Sequence, residues 1–509
     1  MSNFATQTKP NQRNFSNLPD VPLTRENADI ATKYAPNVTA LSRFVPLVFY
    51  PTNETQVQAV VAWANACRVS LYPWSTGKNW GLGSKLPVCD ECALVDLSGM
   101  TRIHEVSDTA RYAIIEPGVT QAMLARHLTQ HHPGLLLNCT GSFAHTGIVG
   151  NVLERGDGIH ARIDDLLGVR GILGNGEPFC AGGVWEGYEG RRPSHVQRTV
   201  AGPDLAGIFS QSNYGIVTTM AVRLRVRPET QHIFFGSAPE HRLEALIDAF
   251  DRLCAQGVIS RGGVNVGYAN RFVQGAASLG GQEAGPAEEA WNFYASVAGT
   301  PRLTDAVLAE LDSTFRPLCD SVGSYRVFPQ GKAPHVDINE LPAFVRPAIA
   351  PMAGCPDAQT LAMIYQMTGT PLPDDERDLD VDHTPFGMKC CIPLVPTCGA
   401  DARLVAKAVS SVRQRWTPNI KVSFYGDGRT LITIHFDRRN KKQIEHAEMA
   451  EADLWNQMET LGYPPYRAAI DQMERLVEQR PQFFDLARML KMSLDPQGII
   501  SPGRYCPRT

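Results

Sequence analysis

No run of apolar residues in the 509-residue chain approaches the roughly 18–20 that a membrane span needs, and the opening MSNFATQTKPNQRNFSNLP has no apolar stretch like that of a secretory leader. These absences lead to the expectation of a cytoplasmic protein with no membrane partner. An excess of one charge is missing too. The 48 Lys and Arg face 52 Asp and Glu, a formal balance of −4, so no global field would draw nucleic acid. Cysteine is thin, with 12 scattered along the chain, which excludes a disulfide scaffold and suits a reducing compartment. The single C-x-x-C, Cys89-Asp90-Glu91-Cys92, has neither a second pair nor a nearby histidine at ligand spacing, so no metal is expected there. The chain also lacks a C-x-x-C-H haem attachment, a G-x-x-x-x-G-K-[ST] phosphate loop and a G-x-G-x-x-G opening a Rossmann helix.

The composition itself, 43% hydrophobic and 20% charged, is that of a folded globular protein. At about 100–200 residues per domain, the length implies two or three domains or one large bipartite enzyme. Asn53, with Gln56 at capping-box spacing, opens a helix whose apolar face is Val57, Val60, Val61 and Ala64. Short strands are expected at 69–72, 93–97 and 112–116, with a helix at 121–129. Asn175-Gly176 marks a hairpin turn between strands at 168–173 and from 179 onwards. Residues 216–226 alternate as a half-buried strand that Pro228 ends. Further on, a helix is expected at 238–256 and strands at 324–328, 389–395, 420–425 and 431–436. A long helix follows at 443–461 with Glu445, Glu448 and Glu451 on its polar side, and 466–494 reads as helical. Arg191-Arg192 and Arg438-Arg439 with Lys441-Lys442 read as small basic clusters on a solvated face or, alternatively, a docking surface for a redox partner. Strand-rich stretches mixed with helices predict an α+β fold.

Two glycine-rich segments carry the chemistry. In Ser75-Thr76-Gly77-Lys78-Asn79-Trp80-Gly81-Leu82-Gly83-Ser84, three glycines within seven residues permit positive φ and close approach of backbone N–H groups to an anion. Ser75, Thr76, Asn79 and Ser84 add donors, and Lys78 adds charge. From the residues alone, a phosphate cradle and an ordinary glycine-rich turn are both open. The second segment, Gly141 to Asn151, is again small and hydroxylated, as contact with a large flat ligand or tight loop packing would each require.

STGKNWGLGS (75–84), EPGVT (116–120), GIVGNVLERG (147–156) and IFSQSNYGIVT (208–218), followed by LDPQGIISPGR (494–504), resemble, in order, stretches of the family of vanillyl-alcohol oxidase and the flavoprotein subunit of p-cresol methylhydroxylase. The resemblance implies a two-domain flavoprotein: an FAD-binding domain from residues 1–235, completed by 456–509, and a substrate-cap domain from 236–455. It implies that Ser75, Thr76, Gly77, Lys78, Asn79, Trp80, Gly81, Gly83 and Ser84 hold the FAD pyrophosphate. The rest of the cofactor would be lined by Pro117, Gly118, Val119, Gly141, Gly147, Ile148, Gly150, Asn151, Glu154, Gly156, Gly215, Ile216 and Val217, with Arg504 from the tail.

The same resemblance implies an adjacent Tyr466-Arg467 pair that binds a substrate phenolate, favouring its ionised form. Hydride would then leave a benzylic carbon para to the hydroxyl for flavin N5. Three positions depart from the family pattern. Leu82 stands where G-Y-G supplies a second tyrosine, Ser142 stands at the position of the oxidase's acid, and Met388 stands at the covalent flavin anchor. Non-covalent FAD is therefore expected, with His383 near enough to rescue a covalent link. Leu82 also opens a second reading, a dehydrogenase or tailoring enzyme for a non-phenolic alcohol, a hydroxylated or carboxylated substrate, or a natural-product scaffold. His145 and His160 are alternative proton carriers or packing residues. The expected partners are a small aromatic substrate, molecular oxygen or a separate cytochrome c as electron acceptor, and further copies in a homo-oligomer.

Overall fold

The computed structural model describes residues 17–25, 30, 33–141, 143–183, 195–268, 290–327, 341–417 and 419–508. Arg191 and Arg192 lie outside the described residues. The chain builds two sheet-based bodies. The first opens with a four-stranded sheet in the order Leu23–Arg25, Leu47–Phe49, Ala93–Asp96, Leu71–Trp74, whose last two pairs are parallel. Parallel neighbours need a crossover, and the helix Glu54–Cys67 supplies it. Its Asn53 cap accepts from the Gln56 N–H at 3.0 Å, while Gln56 Oε1 accepts from the Thr52 N–H at 2.7 Å, one residue before the expected cap. Val57, Val60, Val61 and Ala64 are buried against the sheet.

A five-stranded antiparallel sheet follows in the order Ile103–Ser107, Tyr112–Ile115, Gly215–Arg223, Leu166–Leu173, Pro178–Ala181. The Asn175-Gly176 hairpin is present, with Gly176 at φ +92°, where a side chain would be strained. The strand expected over 216–226 breaks at Leu224, and Arg225–Val226 pairs instead with Leu135–Leu136.

The second body is an eight-stranded antiparallel sheet in the order Ser321–Arg326, Thr230–Pro239, Ala290–Gly299, Val264–Tyr268, Ile420–Tyr425, Thr430–Asp437, Phe386–Pro393, Pro465–Arg467. Helices Leu243–Ala255, Pro301–Phe315, Gly399–Arg415 and Lys441–Leu461 share one apolar core with it, centred on Phe234, Phe250, Phe293 and Phe315. The junctions expected at 235–236 and 455–456 fall inside the strand Thr230–Pro239 and the helix Lys441–Leu461. The chain stays with the eight-stranded sheet as far as Arg467 and then crosses back. Leu490 and Leu494 pack on the five-stranded sheet, and Leu71 exchanges backbone hydrogen bonds of 2.7 Å with Ile499 and Ser501.

Three local expectations are corrected. Pro465–Arg467 is a strand, not the start of a helix: Pro464-Pro465 disfavours helix, and the Phe386–Pro393 edge offers backbone partners. On Lys441–Leu461, Glu445 and Glu448 are exposed but Glu451 is buried. It lies four residues from Ala447 and three from Leu454, within the apolar stripe, and its carboxylate takes Lys389 Nζ at 2.6 Å. Burial pushes this carboxyl up to about 7 despite that ammonium. Arg438 is not part of a solvated cluster; its guanidinium donates to the carbonyls of Phe386, Asn37, Asp382 and Thr384, clasping residues 37 and 382–386 together.

Candidate active site

The two bodies meet at a cavity that opens to solvent, about 1050 Å³ when the open mouth is counted with it. Of the residues expected from the sequence, Ser75, Thr76, Gly77, Lys78, Asn79, Ser84, Pro117, Gly147, Gly150, Asn151, Glu154, Gly215, Ile216, Val217, Arg467 and Arg504 line it. Six separate stretches of chain converge here because small residues let them. A side chain on Gly147 or Gly150 would bring its Cβ to 2.6 or 2.4 Å from Ser75 Oγ, and the Gly147 N–H donates to Thr76 Oγ1 at 2.8 Å. The two glycine-rich segments are thus packed onto each other, and Ser75 and Thr76 serve that joint.

The remaining expected residues stand behind the wall. Gly118 nestles against backbone, with the Ser98 carbonyl 2.3 Å from any added Cβ. Gly83 turns at φ +116° against Ile470, and Gly81 at φ +77° against Cys390 Sγ. Val119 and Ile148 are fully buried core residues, and Gly156 packs on the Asn151 side chain. Trp80 packs beside Phe143, Gly141 faces open space, and Ser142 lies outside the described residues. The sequence reading missed Tyr72, Trp74, Gln211 and Ser501, which also line the cavity. Tyr72 and Trp74 alternate in the strand leading into the first glycine-rich segment, the one local signal that could have marked them.

The charges are arranged in pairs. Arg504 of the tail donates to Tyr72 Oη at 2.6 Å and pairs with Glu154 Oε1 at 2.5 Å, tying three expected or lining residues into one buried group. Lys78 Nζ is 3.3 Å from Asp380 Oδ2, which Lys85 Nζ also approaches at 2.8 Å. Burial draws the Lys78 ammonium down from its ordinary range. Asp382, fully buried, accepts from Ser84 Oγ at 2.8 Å and from the Val38 N–H. Burial and the neighbouring Asp380 push it up to about 6.

Arg467 is the exception. It donates to Asn79 Oδ1 at 2.7 Å, its Nε is buried without a hydrogen-bond partner, and no carboxylate lies within ion-pair distance among the described residues. Asn79 is thereby a holder of Arg467 as well as a lining residue. Strand alternation turns the neighbouring Tyr466 the other way. It packs with Leu82, Cys390, Ile392 and Ala469, its ring 5.8 Å from the Arg429 guanidinium and its buried hydroxyl without a hydrogen-bond partner. Burial raises the Tyr466 phenol, so it stays protonated and able to donate. Leu82, 2% exposed, fills its place in this cluster completely.

Met388 and Cys390 point at Gly81 from the Phe386–Pro393 strand, and burial pushes the Cys390 thiol up to about 12. His383 is exposed on the turn Val381–His383. The histidine paired in register with Met388 is His435, which burial, aided by Lys421, drives down to about 3. Between that value and the ordinary 6.5 the unfolded chain binds a proton that the folded chain refuses, so this group makes stability rise with pH and fall on acidification below 6.5. His435→Leu should flatten that slope, measured as urea midpoints at about pH 5 and 7. His145 lies 5.2 Å from the Phe143 ring, and His160 bonds Asp165 at 2.8 Å. Neither lines the cavity. Among the described residues no cluster could hold a metal ion, and no helix is long and apolar enough to cross a membrane.

Residues 45–180 match the FAD binding domain family. Over 95% of its length the chain is 30% identical to 1'-carboxy-chondrochloren decarboxylase of Chondromyces crocatus, spanning 94% of that protein. It is 25% identical to the 4-cresol dehydrogenase [hydroxylating] flavoprotein subunit of Pseudomonas putida, covering 89% of this chain and 86% of that one. The fold superimposes on p-cresol methylhydroxylase with substrate bound at a TM-score of 0.81 and 22% identity, covering 96% and 94% of the two chains. The cavity fits an FAD. It is walled by close-packed glycines, and Trp74 Nε1, Asn151 Oδ1 and Glu154 Oε2 are buried on its lining residues without hydrogen-bond partners. A mixed helix-and-sheet flavoprotein with these relatives is an FAD-dependent oxidoreductase. The chain belongs to the vanillyl-alcohol oxidase and p-cresol methylhydroxylase flavoprotein family.

Proposed function

We propose that this enzyme removes a hydride from an activated carbon of a small aromatic substrate, benzylic and para to a hydroxyl, using FAD held without a covalent link. The reading rests on Arg467, a half-buried arginine at the cavity wall with an enclosed, unpartnered Nε, whose one side-chain hydrogen bond among the described residues goes to a neutral amide. Such a charge is stabilised by an anionic ligand, and an ionised phenol supplies one. Arg467 would hold the phenolate from the cavity wall, while Tyr466 stands behind that wall in the Leu82 cluster and would reach the oxygen only by turning its side chain. Electron density from the oxygen would then assist departure of the para-benzylic hydride, leaving a quinone methide for water or a base to trap. Bound FAD supplies the two-electron acceptor; Gly77, Gly147, Gly150 and Gly215 would admit it, and Arg504 with Glu154 would close its end. Ser142, which stands at the position of the family's acid, would share in handling the proton. Oxygen or a separate cytochrome c would take the electrons, and the chain would assemble with further copies.

A carboxylated substrate is a second reading, favoured by Leu82 in place of a phenol-binding tyrosine and by the likeness to a decarboxylase. Arg467 would then pair with the carboxylate. Anaerobic mixing with 4-alkylphenols, vanillyl alcohol and arylalkyl carboxylic acids separates the two. Bleaching of the flavin by the phenols carries the first, and bleaching only by the acids with release of carbon dioxide would replace it. Asn79→Ala should cost flavin reduction about 10–100-fold at nearly unchanged FAD content, because Arg467 loses its tether. An equal rate per bound flavin would remove Asn79 from that role.

A further inference from the structure

The C-x-x-C pair takes no part in the cavity, yet it is a built site. Cys89 is partly exposed, Cys92 is 1% exposed, and their sulfurs lie 3.7 Å apart as free thiols. The turn joining them is clamped from outside: the Glu91 N–H donates to the Phe44 carbonyl at 3.0 Å, and Asp90 Oδ1 accepts from the Phe44 N–H at 2.7 Å. Glu91 sits at φ +63°, a conformation that a non-glycine residue keeps only when its surroundings hold it. On the other side Cys89 Sγ donates to the Pro502 carbonyl at 3.5 Å, next to Ser501 and near Arg504, both of which line the cavity. The Cys92 thiol, with the Arg508 and Arg43 guanidinium groups nearby, holds the Cys89 thiol down to about 7, while the bond to Cys89 and burial raise Cys92. A partly exposed cysteine that ionises easily, backed by a buried second sulfur within reach, is the arrangement that thiol–disulfide exchange requires.

The geometry points to Cys89 and Cys92 as a thiol–disulfide exchange site for a small disulfide. The Cys89 thiolate attacks one sulfur of the small disulfide, breaking its S–S bond, releasing one thiolate and leaving a mixed disulfide. The Cys92 thiol gives up its proton, and its sulfur displaces the second small thiolate. Two protein thiols are oxidised by two electrons to one intramolecular disulfide, and the small disulfide is reduced to two thiols. The tie to the Pro502 carbonyl exists only in the protonated Cys89 thiol, and oxidation removes that form altogether, so the tail carrying Ser501 and Arg504 loses one of its ties. The site therefore couples thiol redox state to cofactor retention, a consequence that rests on the cavity being the FAD site.

The test uses the native holoprotein and oxidised glutathione, read by peptide mass mapping after alkylation. Exposed Cys180 serves as the reactivity control. A Cys89–Cys92 linkage in the wild type, and a glutathione adduct trapped on Cys89 in Cys92→Ser, are the expected results. Both cysteines remaining alkylatable in the wild type while Cys180 is modified would overturn the site, and that result needs no variant to fold. FAD release from oxidised and reduced holoprotein is then compared by gel filtration. Several-fold faster release after oxidation supports the coupling; equal release removes the coupling and leaves the exchange site standing.

Discussion

Arg467→Ala is expected to slow anaerobic reduction of the bound flavin by about 10²–10³-fold, counted per bound FAD, because it deletes the group proposed to stabilise charge at the reaction centre. The size of the effect follows from the surroundings. A surface arginine trades its partner for water, but this half-buried one has its Nε enclosed, is bonded to Asn79 and is left without a carboxylate among the described residues. Its removal leaves an anionic substrate oxygen without the one lining cation that no carboxylate already pairs, since Lys78 is held by Asp380 and Arg504 by Glu154. Arg467→Lys keeps the charge but loses the fork geometry and the reach to Asn79, so its rate should fall between wild type and alanine. Stopped-flow reduction with whichever substrate class bleaches the wild type measures all three. A rate for Arg467→Ala within twofold of wild type would take Arg467 out of the mechanism, whatever the substrate.

Features governed by local rules could be read from the sequence. The Asn175-Gly176 hairpin, the Asn53 cap and the converging glycine-rich segments all depend on short-range sterics: which residue tolerates positive φ, and which is small enough for close approach. Their order along the chain gave the family, and sixteen of the expected residues do line one cavity. What escaped depends on partners far along the chain. Glu451 looks like a polar-face residue until Lys389, 62 positions away, is brought beneath it. Asn79 reads only as a phosphate donor until Arg467, 388 positions away, is found bonded to its side-chain oxygen, a second role that leaves its amide N–H groups able to donate. Tyr466-Arg467 reads as helical until the edge of the Phe386–Pro393 strand claims its backbone. Gly118, read as a cofactor contact, is there because the 98–100 backbone leaves no room for a Cβ.

Glu154→Ala should cost about 3–5 kcal/mol of stability, the usual penalty for stranding one member of a buried ion pair, since Arg504 would keep only the Tyr72 hydroxyl. The same change should strip FAD from the protein during gel filtration, because Glu154 and Arg504 both line the cavity and join its second glycine-rich segment to the C-terminal tail. Stability and cofactor binding are confounded in that single variant, and the double variant Glu154→Ala/Arg504→Met separates them. It removes both charges at once, so most of the lost stability should return, as it does when buried ion pairs are replaced by apolar groups. FAD retention should not return with it if the pair holds the cofactor's end of the cavity. Recovery of both urea midpoint and FAD content would reduce the pair to a structural staple, and the closing of the cavity by the tail would then rest on Ser501 and Ile500 alone.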